Sequence, residues 1–354
     1  MDTKRISLKD LAEKLGVTKA TVSMALRNSP RISPARKQQI QKLAAKMGYV
    51  RDPFLTRLAA YRRGGAPAKV LGVLAWVNHW EHPEALRQRF REFESYWQGT
   101  SEAARRLGYE LEEIRWDANR SPKQFEQLLL DHGVQGVLVP PHNALLDWGD
   151  FDWNKFSIVR FGASVQKPDS NLVTADHFQG MVMAVRRIAE LGYQRIGLIA
   201  GEAYNLRLGG NYASGFYYGQ VLLKLRPALP VLLTDYGRRD RAGMEKQKNG
   251  LQKWLARWKP DAVVTTDVEI PGLIRELGYR IPQHIAVAGT SVRDVPVDAG
   301  IDQLSTVIGQ VAAETLVKQI NLNERGEPAD PCRILVESGW QDGTSMPPRR
   351  PAAN

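Results

Sequence analysis

Ser7-Leu-Lys-Asp-Leu-Ala-Glu-Lys-Leu-Gly-Val-Thr-Lys-Ala-Thr-Val-Ser-Met-Ala-Leu-Arg-Asn28 decides how the rest of the chain is read. Leu8, Leu11, Ala12 and Leu15 recur at helical spacing and make one apolar stripe. Ser7 caps that helix, Asp10 completes a capping box, and Gly16 ends it. Thr18 caps a second helix with Val22, Ala25 and Leu26 facing inward, which leaves Lys19, Ala20, Ser23, Met24 and Arg27 facing out. Two short helices about a tight glycine turn, the second with a polar and basic free face, describe a helix-turn-helix. A third helix follows, with Ser33 as N-cap, Pro34 at its first position, Ile40, Leu43, Ala44 and Met47 buried, and Gly48 at its end.

Spacing alone fits an ordinary three-helix bundle equally well, and charge separates the two. Residues 1–63 hold 15 Lys and Arg against 4 Asp and Glu, a surplus of eleven that equals the net charge of the whole chain. The remaining residues carry 34 of each sign and are neutral. A small helical module holding all the excess positive charge attracts a polyanion through counterion release, and a helix fits the DNA major groove.

At 354 residues the chain calls for two or three compact units. A hydrophobic share of 43% with 25% charged residues is ordinary for a globular protein. Cys332 is the single cysteine, so no intramolecular disulfide can form; a buried structural thiol and a reducing compartment are expected. The charged N-terminus lacks a signal-peptide core, and apolar runs such as Val70–Val77 fall well short of the roughly 20 residues of a membrane span. A soluble, cytoplasmic protein is expected.

Beyond the third helix, Asp52 and Pro53 start a short segment with Leu55, Leu58 and Ala59 on one face, which should order on DNA; Gly64–Ala68 reads as a linker. From Lys69 strands and helices alternate. Val70–Val77 is a strand, Pro83–Leu107 one long helix, and strands follow at Tyr109–Trp116, Val134–Val139 and Phe156–Phe161. The pattern continues through the helix His177–Leu191 and the strand Arg195–Ala200 to the helix Gly309–Asn321. Leu-Gly-Tyr recurs at 107–109, 191–193 and 277–279, each a helix end where glycine takes the left-handed conformation before a strand. Such alternation implies α/β layers with ligands at the carboxyl ends of parallel strands.

On these residues the chain resembles the lactose-repressor (LacI/GalR) family of bacterial transcription regulators along nearly its full length. Leu8-x-Asp10-Leu-Ala12-x-x-x-Gly16-Val-Thr-x-x-Thr21-Val22-Ser23 follows the family headpiece. Val173-x-x-Asp176-x-x-x-Gly180, Leu191-Gly-Tyr-x-Arg195-Ile-Gly-Leu-Ile-Ala-Gly201, Pro260-Asp-Ala-Val-Val-Thr-Thr-Asp267 and Ile285-Ala-Val-Ala-Gly289 resemble its core. The resemblance implies a small all-α helix-turn-helix headpiece plus an α/β core of two Rossmann-like, periplasmic-binding-protein-like lobes with parallel sheets. The corresponding limits are 1–50 for the headpiece and 51–68 for hinge helix and linker. The N-lobe takes 69–163 and 306–325, the C-lobe 164–305 and 326–346, and a disordered tail 347–354. It further implies a homodimer on a palindromic double-stranded operator, switched by a small effector between the lobes. No cofactor, metal or membrane partner is expected.

Carried over residue by residue, Lys19 and Ala20 open the recognition helix and read base edges. Met24 stands where many members have a base-reading Arg, which points to a different operator preference, with Arg27 one turn on. Lys9, Thr18, Thr21, Ser23, Arg31, Ser33 and Tyr49 join the DNA contacts, and Leu58 with Ala59 matches the minor-groove wedge of the hinge. The effector site departs from the sugar-binding pattern. Tyr212 replaces an Arg three residues before Gly215-Phe216, Thr266 precedes the retained Asp267, and Gly289-Thr290-Ser291-Val292 stands for the family's Gly-Phe-Asp-Asp, so that Ser291 and Val292 replace its carboxylates. Trp76, His79, Trp80, Tyr204 and Asn205 supply aromatic and polar surface around the expected cleft, joined by Tyr212, Asp267 and Thr290. Aromatic faces suit sugar rings and other flat ligands, so a carbohydrate is one class of effector to test.

Two rival readings stand beside this one. A constitutive repressor would bind DNA with a vestigial cleft. An α/β enzyme would need a nucleotide loop, a nucleophile elbow or a dinucleotide fingerprint, and the chain has none of these. His79-x-x-His82 lacks the second pair that a metal site requires.

Overall fold

The computed structural model describes residues 7–26, 32–47, 70–80, 82–117, 119–142, 147–235 and 241–349. The chain forms two compact units, Met1–Ala68 and Lys69–Asn354.

In the first unit helices α1 (Leu8–Leu15), α2 (Lys19–Leu26) and α3 (Pro34–Lys46) share one small core of Leu11, Ala12, Val22, Ala25, Ile40 and Ala44. The capping box forms as the sequence requires: the Ser7 hydroxyl accepts from the Asp10 amide, and the Asp10 carboxylate accepts from the Ser7 amide at 2.7 Å. Gly16 closes α1 in the left-handed region at φ 62°, and the Thr18 hydroxyl accepts from the Thr21 amide at 3.1 Å. The Gln41 side chain ties α3 to the end of α2 by donating to the Ala25 carbonyl.

The second unit carries two six-stranded sheets. In chain order its strands are β1 (Gly72–Asn78), β2 (Tyr109–Arg115), β3 (Val134–Val139), β4 (Ser157–Phe161), β5 (Asn171–Ala175) and β6 (Ile196–Gly201). Then come β7 (Leu232–Thr234), β8 (Ala262–Thr265), β9 (Ala286–Gly289), β10 (Gly300–Asp302), β11 (Arg333–Val336) and β12 (Gly339–Gln341). The first sheet runs β11-β5-β4-β3-β1-β2, parallel throughout; the second runs β12-β10-β9-β8-β6-β7, parallel except for β12. Apolar clusters cover both faces of each sheet, so the chain builds two layered lobes.

Several expectations need correction. The N-lobe does not end at Ala163: Asn171–Ala175 pairs with β4 in the first sheet, and the chain leaves that lobe only after Ala175. It returns at Gln303–Leu304 and crosses finally after Val336 rather than near Gly326, because Arg333–Val336 lies parallel to β5. Both are short strands: Arg333–Val336 forms the sheet edge, and Asn171–Ala175 lies between it and β4, paired with both. The long helix divides at Phe90, whose extended backbone (φ −119°, ψ 96°) separates Pro83–Arg89 from Arg91–Arg106. Cys332 is exposed. The segment Pro347–Arg349 is packed, not loose: the Tyr193 hydroxyl donates to the Pro347 carbonyl at 2.7 Å, and Arg349 pairs with Asp261 at 2.7 Å. The three Leu-Gly-Tyr glycines, Gly108, Gly192 and Gly278, do sit at positive φ as helix ends.

One packing contact sets the geometry of the region between the lobes. The helices Arg91–Arg106 and Ser305–Leu322 touch backbone to backbone; a Cβ on Gly99 would lie 1.9 Å from the Thr306 carbonyl oxygen, and one on Gly309 2.3 Å from that of Tyr96. The Thr100 hydroxyl donates across the same seam to the Gly309 carbonyl at 3.2 Å. This close approach brings Tyr96 and Glu92, one and two turns before Gly99, up to Ser305 at the lobe crossing.

Candidate DNA-binding face and interlobe cleft

The second helix presents exposed Lys19 and Ala20 beside exposed Thr18, with Thr21, Ser23 and Met24 half-buried further along. The Thr18 and Thr21 hydroxyls lie 2.9 Å apart at the helix start, a polar cluster suited to a phosphate oxygen. Lys9 is exposed opposite Glu13 at 3.7 Å, and Ser33 is exposed before α3. Arg27, Arg31, Tyr49, Leu58 and Ala59 lie outside the described residues. Val22 and Ala25 are buried as their spacing requires.

The lobes meet where loops leave the carboxyl ends of their strands. Glu92 and Tyr96 of the first lobe face Ser291, Arg293 and Asp294, which follow β9 of the second. The Ser291 hydroxyl donates to Glu92 Oε1 at 2.5 Å, and the Glu92 amide donates to Asp294 Oδ1 at 3.2 Å. Burial raises the pKa of both carboxyls, that of Asp294 to about 7; the charge of Glu92 raises Asp294 further, and that of Asp302 raises Glu92. Ser305 is fully buried near Glu92 and Tyr96.

At the other end of the seam His79, after β1, packs edge to face on His142, after β3, with ring centroids 4.2 Å apart. Burial lowers the pKa of His79 to about 3 and that of His142 in the same direction, so both are neutral imidazoles near pH 7. Arg207 of the second lobe adds to the effect on His142. Its guanidinium also lies over the Tyr204 ring, 5.9 Å from the centroid.

Several buried polar atoms along this seam have no hydrogen-bond partner among the described residues: both ring nitrogens of His79, Arg207 Nε and Arg293 Nε. Such atoms are costly to leave unmatched. Their arrival from both lobes at the strand ends marks a place that a polar molecule would complete.

The eight residues singled out from the sequence divide into two groups. His79, Trp80 and Tyr204 are partly exposed at the seam. Trp76 is in the first lobe's core, between Trp97 (5.3 Å) and Phe161 (4.8 Å). Tyr212 is buried in the second lobe's core, its hydroxyl accepting from Gln303 at 3.2 Å; the same Gln303 amide donates to the Thr290 carbonyl at 3.0 Å. Asn205 accepts from the Ala213 amide, and both Asp267 oxygens are taken, by the Gln247 side chain and the Glu269 amide. Glu92, His142, Arg207 and Arg293 were not singled out. A usable signal was present for three of them, since His142, Arg207 and Arg293 are polar residues shortly past a strand's carboxyl end. Among the described residues no group of three or more His, Cys, Asp or Glu could hold a metal ion.

A helix-turn-helix in one chain with a two-lobed α/β core, its polar seam at the strand ends, defines a ligand-responsive class of DNA-binding protein. The comparisons agree. The family described as "Bacterial regulatory proteins, lacI family" matches residues 7–52, and "Periplasmic binding protein-like domain" matches residues 185–346. The HTH-type transcriptional regulator CelR of Thermobifida fusca is 24% identical over 353 residues, 95% of this chain and 96% of that one. A solved transcriptional regulator CelR–cellobiose complex superposes with a TM-score of 0.57 at 19% identity, covering 96% of this chain and 100% of that one. The lac repressor dimer bound to operator and the anti-inducer ONPF gives a TM-score of 0.53 at 16% identity, covering 97% and 99%. The chain joins a DNA-binding module of the lacI family to a periplasmic-binding-protein-like domain, and it is a DNA-binding transcription regulator.

Proposed function

We propose that this regulator acts without catalysis, as a homodimer on a palindromic operator in the cytoplasm, and that a small effector held between the lobes switches its affinity for DNA. Residues 1–50 serve as headpiece and 51–68 as hinge. Lys19 and Ala20 read base edges, while Lys9, Thr18, Thr21, Ser23 and Ser33 position the phosphate backbone. The effector contacts are His79, Trp80 and Tyr204, joined by Glu92, Arg207 and Arg293.

The observation that carries this reading is the set of unmatched buried polar atoms contributed to one seam by both lobes. It favours an occupied cleft over a vestigial one, whose polar groups would be free to drift to apolar replacements. Because lobe closure requires both sides of the seam, a molecule bound there biases the closed state over the open one. Aromatic rings beside carboxylate, guanidinium and hydroxyl groups suit a polyhydroxylated ring, and the cellobiose of the CelR complex is such a ligand.

Melting of the full chain against monosaccharides, disaccharides, sugar acids, polyols and nucleosides tests the reading. A ligand at about a hundred times its Kd adds roughly 2.7 kcal/mol to stability, a plain upward shift in Tm. A melting temperature unmoved by every class would support the constitutive repressor instead.

A further inference from the structure

The polar groups of the seam are sorted by charge. Glu92 and Asp294 share one end, and the cation acting on both is Arg293. Arg207 stands at the other end. Among the described residues no carboxylate pairs with it, and its Nε is buried without a partner. Its neighbours are neutral: the Tyr204 ring beneath it and His142 across the seam. Tyr204 lies between the two ends, where its hydroxyl feels Asp294 and Glu92 on one side and Arg207 on the other.

The histidine pair completes the basic corner. His142 Nδ1 lies 3.2 Å from the Pro140 carbonyl, which can only accept, so that nitrogen carries the hydrogen and the ring is fixed. His79 packs on the edge of that ring, and neither of its own nitrogens has a partner among the described residues. One of them therefore holds an N–H with no acceptor, beside a half-buried guanidinium with no counter-ion. A buried cation without an anion is unfavourable, and an unused donor next to it makes the same demand for negative charge. Among the described residues no carboxylate meets that demand.

Resting on the interlobe reading above, we propose that the effector is a hydroxylated acid rather than a neutral sugar, with its anionic group seated between Arg207 and His79 and its hydroxyls directed to Glu92 and Asp294. Both a sugar carboxylate and a sugar phosphate present the required oxygens. Arg207 is then the residue that selects charge, and the Ser291–Glu92 end reads hydroxyls.

Titration calorimetry on the full chain separates the possibilities, with glucose and galactose as neutral probes, glucuronate and galacturonate as carboxylates, and glucose 6-phosphate as the phosphate. The expected result is an acid binding on the order of tenfold or more tighter than its neutral counterpart, the scale of one charge-assisted contact. Arg207→Gln should weaken the acids more than the neutral sugars and so erase that preference, and Arg207→Lys should restore part of it. Response to the uronates or to the phosphate ester identifies the anion. Neutral sugars binding as tightly as the acids, or Arg207→Gln weakening both equally, would overturn the proposal and leave the effector reading standing. No binding by either set would overturn the proposal, and the wider melting panel then decides the effector reading.

Discussion

The headpiece and the interlobe cleft recognise their targets by opposite means. The headpiece holds the chain's whole positive surplus, and its recognition helix sets Lys19 and Ala20 in solvent over a core of six small and aliphatic side chains. The cleft belongs to a part of the chain with balanced charge, and its recognising groups are buried and unmatched. Exposed charge gives attraction that is long-ranged, tolerant of sequence and sensitive to salt. Buried donors and acceptors give selectivity, because a wrong ligand leaves them unsatisfied. A regulator needs both, and the chain keeps them in separate compact units.

The largest expected effect breaks that division outright. Removing residues 1–63 should lower duplex affinity by a factor on the order of a thousand or more and flatten its salt dependence, measured by fluorescence anisotropy between low and moderate salt. A truncated chain with unchanged salt slope would place the polyanion site in the core. Next in size, Leu11→Ala empties a fully buried position in the headpiece and should cost about 2–5 kcal/mol there. Calorimetry should then show the headpiece transition lost while the core still melts as in the wild type.

Gly99→Ala makes the reciprocal test. Its Cβ would collide with the Thr306 carbonyl, so the core should lose about 1–3 kcal/mol and ligand binding should weaken. Affinity for random duplex, a property of the other unit, should stay as it was.

The smallest effect concerns protons. Asp294 titrates near 7 in the closed seam against an ordinary 3.8, with Glu92 raised beside it and Arg293 partly offsetting both. The closed state thus takes up a proton that the open or unfolded chain holds less tightly. Its stability is fullest below about pH 4 and declines as pH rises to about 7. Asp294→Asn mimics the protonated group and keeps an acceptor for the Glu92 amide. Its Tm should match the wild type's near pH 4 and exceed it by a margin that grows up to about pH 7. An equal gap at every pH would mean that Asp294 is not the titrating group.

The same two regions differ in how much of them the sequence discloses. The headpiece is local: Ser7 and Asp10 meet within one turn, Thr18 and Thr21 within another, and Gly16 needs only its own φ. The alternation of strands and helices was equally open to reading, as were the left-handed glycines at three helix ends. Sheet membership was not. The five residues Asn171–Ala175 are long enough for a strand, but only pairing with β4 and with Arg333–Val336, far along the chain, shows which sheet takes it. The cleft is harder still, since Glu92 meets Ser291 across 199 positions. Tyr212, Asp267 and Thr290 were drawn from family positions, and here their polar groups are spent on Gln303, Gln247 and backbone. Arg207 lies five residues before Tyr212 and brings a guanidinium to the seam by another route.

The account stands or falls on coupling between the two regions. The direct measurement is the affinity of the full chain for a palindromic duplex selected from random DNA, with and without a saturating ligand found by melting. A change of about 5- to 150-fold in either direction is the expected result, with random duplex affected little. Identical operator affinity in the presence and absence of a ligand that demonstrably fills the cleft would contradict it.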